Sequence, residues 1–469
     1  MTTQEAPGDA IAGLDAFAAR VDGDLIRPGN PEYDAARQVE NARYDRRPAA
    51  IVRVRTASDV AATIRLARDS GRRLAVRAGG HSVAGHSAAD DAIVLDLSLM
   101  RRIEIDAERR LAWAEAGVTA RQYTIAAHAA GLATPFGDTG SVGVAGLTLG
   151  GGIGWLVRKH GLTIDSLVAA EVITADGHQL RASEDENADL FWALRGGGGN
   201  FGVVTRFQFR LHPIDTVAAG TIILPATTEV LRELVPAALA APDELAIQAV
   251  IGRAPDDPSI PPEVHGTLIV DLEVLYAGPL TDSELALAPL RALAPAIKDS
   301  VEAKPYPALY PESSGEREGW FARAMFADTL DDELIGAIRA RLADPTAPQA
   351  VLEVRVLGGA MARVPVEATA FGYRDRRVLM WLITWFTDLT QAAQHEAWLT
   401  DFWSEIRHKA TGVYVNFLEA EGDERVRAAY PPQTYARLAE IKRRYDPENL
   451  FRLNQNIQPA PAERVGRTP

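Results

Sequence analysis

The chain reads as an α+β protein. Three observations predict this class: an amphipathic helix followed by two strand-like runs around a glycine loop, two hairpins farther on, and no strict β-α-β alternation of the kind a doubly wound sheet needs. Residues Thr56 to Ser70 carry the helical period, with Thr56 or Ser58 as N-cap and Gly71 at the stop. Leu74 to Val76 and Ile93 to Leu97 are apolar and β-branched enough to be buried strands. Ile103 to Glu115 reads as a hairpin around Asp106-Ala107-Glu108, and Arg121 to Ala130 as a helix after Thr119. Ala170 to Leu180 reads as a second hairpin, with Asp176-Gly177 suited to a type I′ turn.

Around Pro213 the texture changes. Residues 216 to about 418 carry alternating strands, proline-rich loops and amphipathic helices, with Leu352 to Gly359 and Val378 to Trp385 alternating as half-buried strands do. Tyr435 to Arg444 reads as a helix ending before Asp446-Pro447, and Asn449 to Ile457 as a compact, asparagine-rich tail. Roughly the last ten residues read as disordered. These shifts divide the chain at 1–215, 216–418 and 419–469.

Composition narrows the function classes. With 469 residues, 47% of them apolar, the chain has material for a large core and two domains. A net charge of −14 argues against nucleic acid or an anionic membrane surface as partner. No run of roughly eighteen apolar residues occurs, and Met1 to Arg20 lacks the charged and apolar regions of a secretory signal, so a cytoplasmic monomer or homodimer is expected. The chain has 0 cysteines, which removes disulfides, thiolate nucleophiles and cysteine metal sites. Its 9 histidines are scattered, with no His-Glu-x-x-His motif, and no metal site is expected.

The loop Arg77-Ala78-Gly79-Gly80-His81-Ser82-Val83-Ala84-Gly85-His86-Ser87 sits where a sheet ends. Small residues there leave amide N–H groups bare, able to cradle a phosphate or a flavin edge. His81 is then either a reactive imidazole inside a cradle or a turn residue capping a carbonyl. A second cluster, Gly143 to Gly154, is denser than a helix-packing turn requires, which points to backbone lying against a ligand. Gly197-x-Gly199-x-x-Gly202 matches the dinucleotide fingerprint as a string only: a helix-like segment, Ala188 to Leu194, precedes it and a strand, Val203 to Leu211, follows. A Rossmann site needs the reverse order, because the helix amides hold the pyrophosphate.

Three separated motifs agree with one family. The Gly79 to Ser87 loop, the Gly143 to Gly154 run with Arg158-Lys159-His160-Gly161-Leu162 behind it, and the tail Tyr445 to Ile457 resemble the berberine bridge enzyme-like branch of the vanillyl alcohol oxidase flavoenzymes. Gly196 to Val204 and Tyr414-Val415-Asn416 extend the likeness in order along nearly the whole chain. The resemblance implies a PCMH-type FAD-binding domain, made by residues up to about 215 plus the C-terminal tail, and a substrate domain whose antiparallel sheet, covered by helices, roofs the flavin. It implies FAD contacts from Ala78, Gly79, Gly80, His81, Ser82, Val83, His86 and Ser87. Further contacts are implied from Thr139, Val142, Gly143, Gly146, Leu147, Gly150, Gly151 and Gly154, from Val172, Gly202 and Val204, and from Asn416, Asn454 and Asn456.

Two departures sharpen the expectation. Many members link FAD through both the histidine and a cysteine, and the cysteine's position is Thr139 here, so the resemblance implies a single 8α-histidyl bond through His81, as in the branch with 6-hydroxy-D-nicotine oxidase. Many members also end a Tyr-x-Asn-Tyr strand on a catalytic tyrosine, where this chain has Tyr414-Val415-Asn416-Phe417. A phenyl ring takes no proton, so either another group is the base, with Tyr414, Glu353 and Tyr373 as candidates, or the substrate needs none. By alternation Glu353 and Arg355 share one strand face, and Trp381, Ile383 and Trp385 another. Facing the flavin, Arg355, Trp381, Trp385 and Asn416 would line the substrate site; the alternative is that Glu353 and Arg355 are a solvated surface pair. The resemblance implies an oxidase that moves a hydride from an alcohol or amine carbon to FAD and returns the electrons to dioxygen as hydrogen peroxide, with Val142 leaving dioxygen room. A flavin dehydrogenase or oxidative cyclase is the alternative, and a non-catalytic carrier the outsider.

Overall fold

A computed structural model describes residues 11, 13–312 and 315–461. The end expected to be disordered falls on 462–469, outside the described residues. The first sheet has four strands in the order Asp24–Ile26, Ala50–Arg53, Ile93–Asp96, Leu74–Arg77, the last three parallel. The helix Ala57–Asp69 forms the crossover. Thr56 caps it and shares a capping box with Asp59, and Gly71, at φ 67°, ends it. Its buried face, Val60, Ile64 and Ala67, packs into the core beneath the sheet.

A second sheet of five antiparallel strands runs Ile103–Asp106, Leu111–Glu115, Val203–Arg210, Leu167–Ile173, Gln179–Ser183. Both expected hairpins are present. The turn of the second differs: Gly177 alone has positive φ, whereas a type I′ turn needs it at both central residues. Gly177 donates to the Thr174 carbonyl at 2.9 Å, and Thr174 Oγ1 to Asp176 Oδ1 at 2.5 Å. Asp176 stays outside the left-handed region, so the turn uses a single glycine.

The third sheet takes its eight strands from residues 216–386, all antiparallel. One face buries Leu352, Val354, Val356, Met380 and Leu382 against the helices Thr228–Ala240, Ser283–Arg291, Asp332–Ala343 and Ala392–Ile406. The opposite face carries Glu353, Arg355 and Trp381 toward the first two sheets. The strand expected over Leu352 to Gly359 is Ala350–Val356, ended by Gly358 and Gly359 at φ 111° and 57°. It is more buried than a half-buried strand, because its second face is covered too. The C-terminal helix, Pro432–Tyr445, starts earlier than the sequence pattern because Pro432 occupies its first turn. Among the described residues, no helix is long and apolar enough to cross a membrane, and no group of three His, Asp or Glu is placed to hold a metal.

Candidate active site

Between the glycine loops and the third sheet lies a cavity of about 340 Å³. One wall is the loop after Leu74–Arg77, with Ala78, Gly79, Gly80, His81, Ser82, Val83, His86 and Ser87 all exposed to the cavity. Among the described residues none accepts from the amide N–H groups of Gly79, Gly80, His81, Ser82 or Val83, so this wall presents a row of free donors. A second wall comes from Thr139, Val142, Gly143, Gly146 and Leu147, a third from Gly202 and Val204, and a fourth from the tail residues Asn454 and Gln455. Arg355, Trp381, Trp320, Tyr414, Asn416 and Phe417 close the remaining side.

The two glycine clusters meet. A Cβ on Gly143 would lie 2.6 Å from the Gly79 amide nitrogen, so the loops touch backbone to backbone. The second cluster is otherwise packed against protein rather than ligand. A Cβ on Gly151 would strike Phe371 at 2.9 Å, one on Gly150 the Asn416 amide, one on Gly152 Thr163, and one on Gly154 the Phe136 carbonyl. Gly146 alone in that run meets nothing within 4 Å and faces the cavity. Of the expected contacts, Gly150, Gly151, Gly154, Val172 and Asn456 are therefore not among the lining residues. Val172 is one layer behind, its Cγ1 filling the place of a Gly202 Cβ at 2.6 Å. The fingerprint-like Gly197 to Gly202 follows a helix and precedes a strand, as its sequence context requires.

His81 sits at the cavity with Nε2 3.8 Å from Glu40 Oε2. Burial pulls its pKa down, opposed by Glu40 and by the Ser141 carbonyl. Burial also lowers His86 to about 4, so it is neutral at neutral pH. Glu353 and Arg355 are not a solvated pair, being 6% and 7% exposed. Arg355 Nε donates to Glu353 Oε1, and its Nη2 reaches Asp138 at 2.7 Å. Burial raises the Glu353 pKa, but its carboxyl is behind Arg355 and does not line the cavity.

The segment expected as a strand ending in Phe417 is a 3₁₀ turn, Val415–Phe417, because Phe417 N bonds back to the Tyr414 carbonyl at 3.0 Å. The turn brings Tyr414, Asn416 and Phe417 together at the cavity. Phe417 stacks on Trp381 at 4.2 Å and 17°, with Arg355 5.0 Å above its ring, and Trp320 meets Trp381 edge-on at 6.2 Å. Tyr373 and Trp385 lie elsewhere. The Tyr373 hydroxyl is committed to the Ala428 carbonyl at 2.8 Å, and Trp385 is four pairs farther along the strand than Trp381, beside Trp320 in register. The sequence reading missed Asp138, Trp320 and Gln455. Asp138 had a signal in its Gly137-Asp138-Thr139-Gly140 turn, whereas Trp320 arrives only through pairing between strands distant in sequence.

The cavity suits a large, flat, anionic ligand. It offers free amides at one end, and among its lining atoms Asn454 Oδ1 and Trp381 Nε1 are buried without a partner. A flavin with its diphosphate fits this set of amide donors, aromatic rings and open glycine. The fold and site are those of an FAD-linked oxidoreductase. Residues 48–183 match the FAD binding domain model, and residues 413–458 the berberine and berberine-like model. The chain is 32% identical to (R)-6-hydroxynicotine oxidase of Paenarthrobacter nicotinovorans, covering 94% of this chain and 97% of that one. It is 30% identical to the FAD-linked oxidoreductase YgaK of Bacillus subtilis (strain 168), covering 94% and 98%. The crystal structure of 6-hydroxy-D-nicotine oxidase from Arthrobacter nicotinovorans superposes with a TM-score of 0.84 at 29% identity, covering 94% and 98%. This chain belongs to the berberine bridge enzyme-like family of FAD-linked oxidases.

Proposed function

We propose that the chain is an FAD-dependent oxidase of a small organic amine or alcohol, holding its flavin by a single covalent bond to His81. The observation that carries this is the single cavity joining the free amides of Gly79 to Val83, the open face at Gly146 and the aromatic and charged side formed by Trp320, Trp381, Phe417 and Arg355. When bound, FAD supplies the acceptor for a hydride from a carbon beside nitrogen or oxygen, and dioxygen restores it with release of hydrogen peroxide.

The chain's own residues have separable tasks. The amides of Gly79 to Val83 meet the diphosphate. Gly143, Gly146 and Leu147 admit the ring system close to backbone, and Ala78, Ser82, His86, Ser87, Thr139, Gly202, Val204 and Asn454 complete the enclosure. Val142 keeps a small side chain at the wall, which favours access by dioxygen over a dehydrogenase. The stacked Trp381 and Phe417 offer a flat apolar surface to substrate, and Arg355, held in place by Glu353 and Asp138, orients it. Tyr373 and Glu353 do not line this space, which leaves Tyr414 as the one of the three candidates able to touch substrate, beside the alternative that the substrate needs no base. We also assign the division of labour at 1–215 and 419–469 for FAD and 216–418 for substrate.

The test is a visible spectrum and intact mass of the denatured protein, followed by peroxide release on a panel that includes both 6-hydroxynicotine enantiomers, secondary amines and secondary alcohols. Flavin retained through denaturation by the wild type and lost in His81→Ala supports the link. A denatured wild type at the mass of the bare polypeptide, differing from His81→Ala by the substitution alone, refutes it, and flavin reduction without peroxide in air favours a dehydrogenase.

A further inference from the structure

The hydroxyl of Tyr414, 2% exposed at the cavity wall, has its hydrogen bonding largely determined by its neighbours. Gly152 donates its amide to the oxygen at 3.0 Å, and Asn416 donates Nδ2 at 2.8 Å. The other Nδ2 hydrogen goes to the Leu147 carbonyl at 3.0 Å, which fixes the orientation of the Asn416 amide. The glycine run is shaped to this end. Gly150 lacks the Cβ that would strike Asn416, and Gly152, at φ 81°, turns its N–H toward the phenol in a conformation side chains disfavour.

A tyrosine oxygen has a hydrogen to give and two lone pairs to receive. Here the Gly152 and Asn416 N–H groups fill the lone pairs, the Ile153 amide adds to the field at the oxygen without hydrogen-bond geometry, and no described residue accepts the hydrogen. We propose that Tyr414 is an oriented hydrogen-bond donor to the cavity's ligand, rather than a base, and selects for an acceptor group such as a carbonyl, an ether oxygen or a ring nitrogen at that point. Gly152 and Asn416 are its positioning residues. The acceptor belongs either to substrate or to flavin, and that identity rests on the flavoenzyme reading above. To act as a base the oxygen must first lose its own proton. Burial opposes this by raising the hydroxyl pKa, while the amides of Gly152 and Ile153, Asn416 and Arg355 pull the other way without overcoming it. The charged groups in this direction are Arg355 and its partners Glu353 and Asp138; Phe371 and Phe417 cover the ring.

The test compares the wild type with Tyr414→Phe and Asn416→Asp. An ultraviolet difference titration of wild type against Tyr414→Phe is expected to show no tyrosinate from Tyr414 up to about pH 10, and an ionisation at lower pH overturns the assignment. With flavin-loaded proteins and 6-hydroxynicotine as probe, Tyr414→Phe is expected to lose about tenfold in kcat/KM while keeping the acid limb of its pH profile. An altered visible flavin band in Tyr414→Phe assigns the acceptor to flavin, and an unaltered band with lowered kcat/KM assigns it to substrate. Loss of the acid limb, or no change in either band or kcat/KM, overturns the proposal. Asn416→Asp sets an acceptor beside the hydroxyl and draws its hydrogen from the cavity, so it should match Tyr414→Phe, with the double variant no worse; additive losses count against the cradle. A wild type that carries no flavin refutes the flavoenzyme reading instead, and the ultraviolet titration still decides the donor role.

Discussion

Glycine at 146 and glycine at 150 serve opposite purposes four residues apart. Gly146 lies inside the helix Val144–Leu149 with open space where a Cβ would be, so Gly146→Ala removes a helix-disfavoured residue and should stabilise the flavin-free protein by about 1 kcal/mol. The new methyl enters the cavity, so the same variant should bind less flavin, read as absorbance near 450 nm per protein. Gly150→Ala meets the Asn416 side chain and should cost about 1–3 kcal/mol in thermal unfolding, with flavin or without. Equal behaviour of the two variants would refute the distinction. Glu273 offers a second single-residue test. Burial, then Asp271, Glu353 and Asp138, raises its pKa to about 7 against a partial offset from Arg355. The folded protein holds a proton that the unfolded chain releases above about pH 4.5, so stability from this group is full at low pH and lost as pH rises toward 7. Glu273→Gln does not titrate. Its stability relative to wild type should rise by on the order of 2 kcal/mol between pH 5 and pH 8, and a flat or falling difference in denaturant titrations at the two pH values would contradict this.

At the scale of elements, caps and latches hold the cavity walls in place. Thr119 and Gln122 form a capping box on the helix Ala120–His128, and the same start pins the wall residues: Ala120 N bonds the Val142 carbonyl and Val144 N the Val118 carbonyl, each at 2.9 Å. The tail is latched by Lys442, fully buried with Asp446 and donating to it at 2.6 Å, to Asn200 O at 2.8 Å and to Phe451 O at 2.9 Å. Lys442→Met leaves the Asp446 carboxylate buried without its cation and should cost about 3–5 kcal/mol, with flavin content falling because Asn454 and Gln455 follow this latch into the cavity. Unchanged urea midpoints would overturn it. These elements also show what the sequence revealed. The caps at Thr56 and Thr119, both hairpins, the inverted fingerprint and the cradle at Gly79 to Val83 were legible, because each depends on residues close in sequence. The packing role of Gly150 to Gly154 was not, since Asn416, Phe371 and Thr163 come from remote segments. The same distance hid the separation of Tyr373 from the cavity and the arrival of Trp320 within it.

At the scale of the molecule, two hydrophobic cores share one cavity. One gathers the first two sheets and the tail, the other the third sheet and its helices. An interface between such bodies ordinarily permits relative motion. Here Glu419, on the tail side, binds across it: its carboxylate accepts from Ala322 N at 2.9 Å and Arg323 Nη1 at 2.8 Å on the sheet, and from Arg43 Nη2 at 3.0 Å on the N-terminal segment. Arg43 is in turn sandwiched between Phe321 at 4.1 Å and Tyr44 at 4.6 Å, and Tyr44 fills the space over Gly85 in the loop that holds His81. One buried carboxylate thus ties the flavin loop, the sheet and the tail. Glu419→Gln keeps the shape and one acceptor but leaves Arg43 partly buried without this countercharge and Arg323 with only the more distant Glu421 carboxylate at 3.6 Å, a loss on the order of 3 kcal/mol. Because the lost contacts lie between the cores rather than inside either, the two should separate in stability. Calorimetry of the flavin-free protein should show one transition for the wild type and a broadened or split one for Glu419→Gln, with bound flavin drawing the two together again. A single, sharp transition merely shifted to lower temperature would show that the cores unfold as one without this tie.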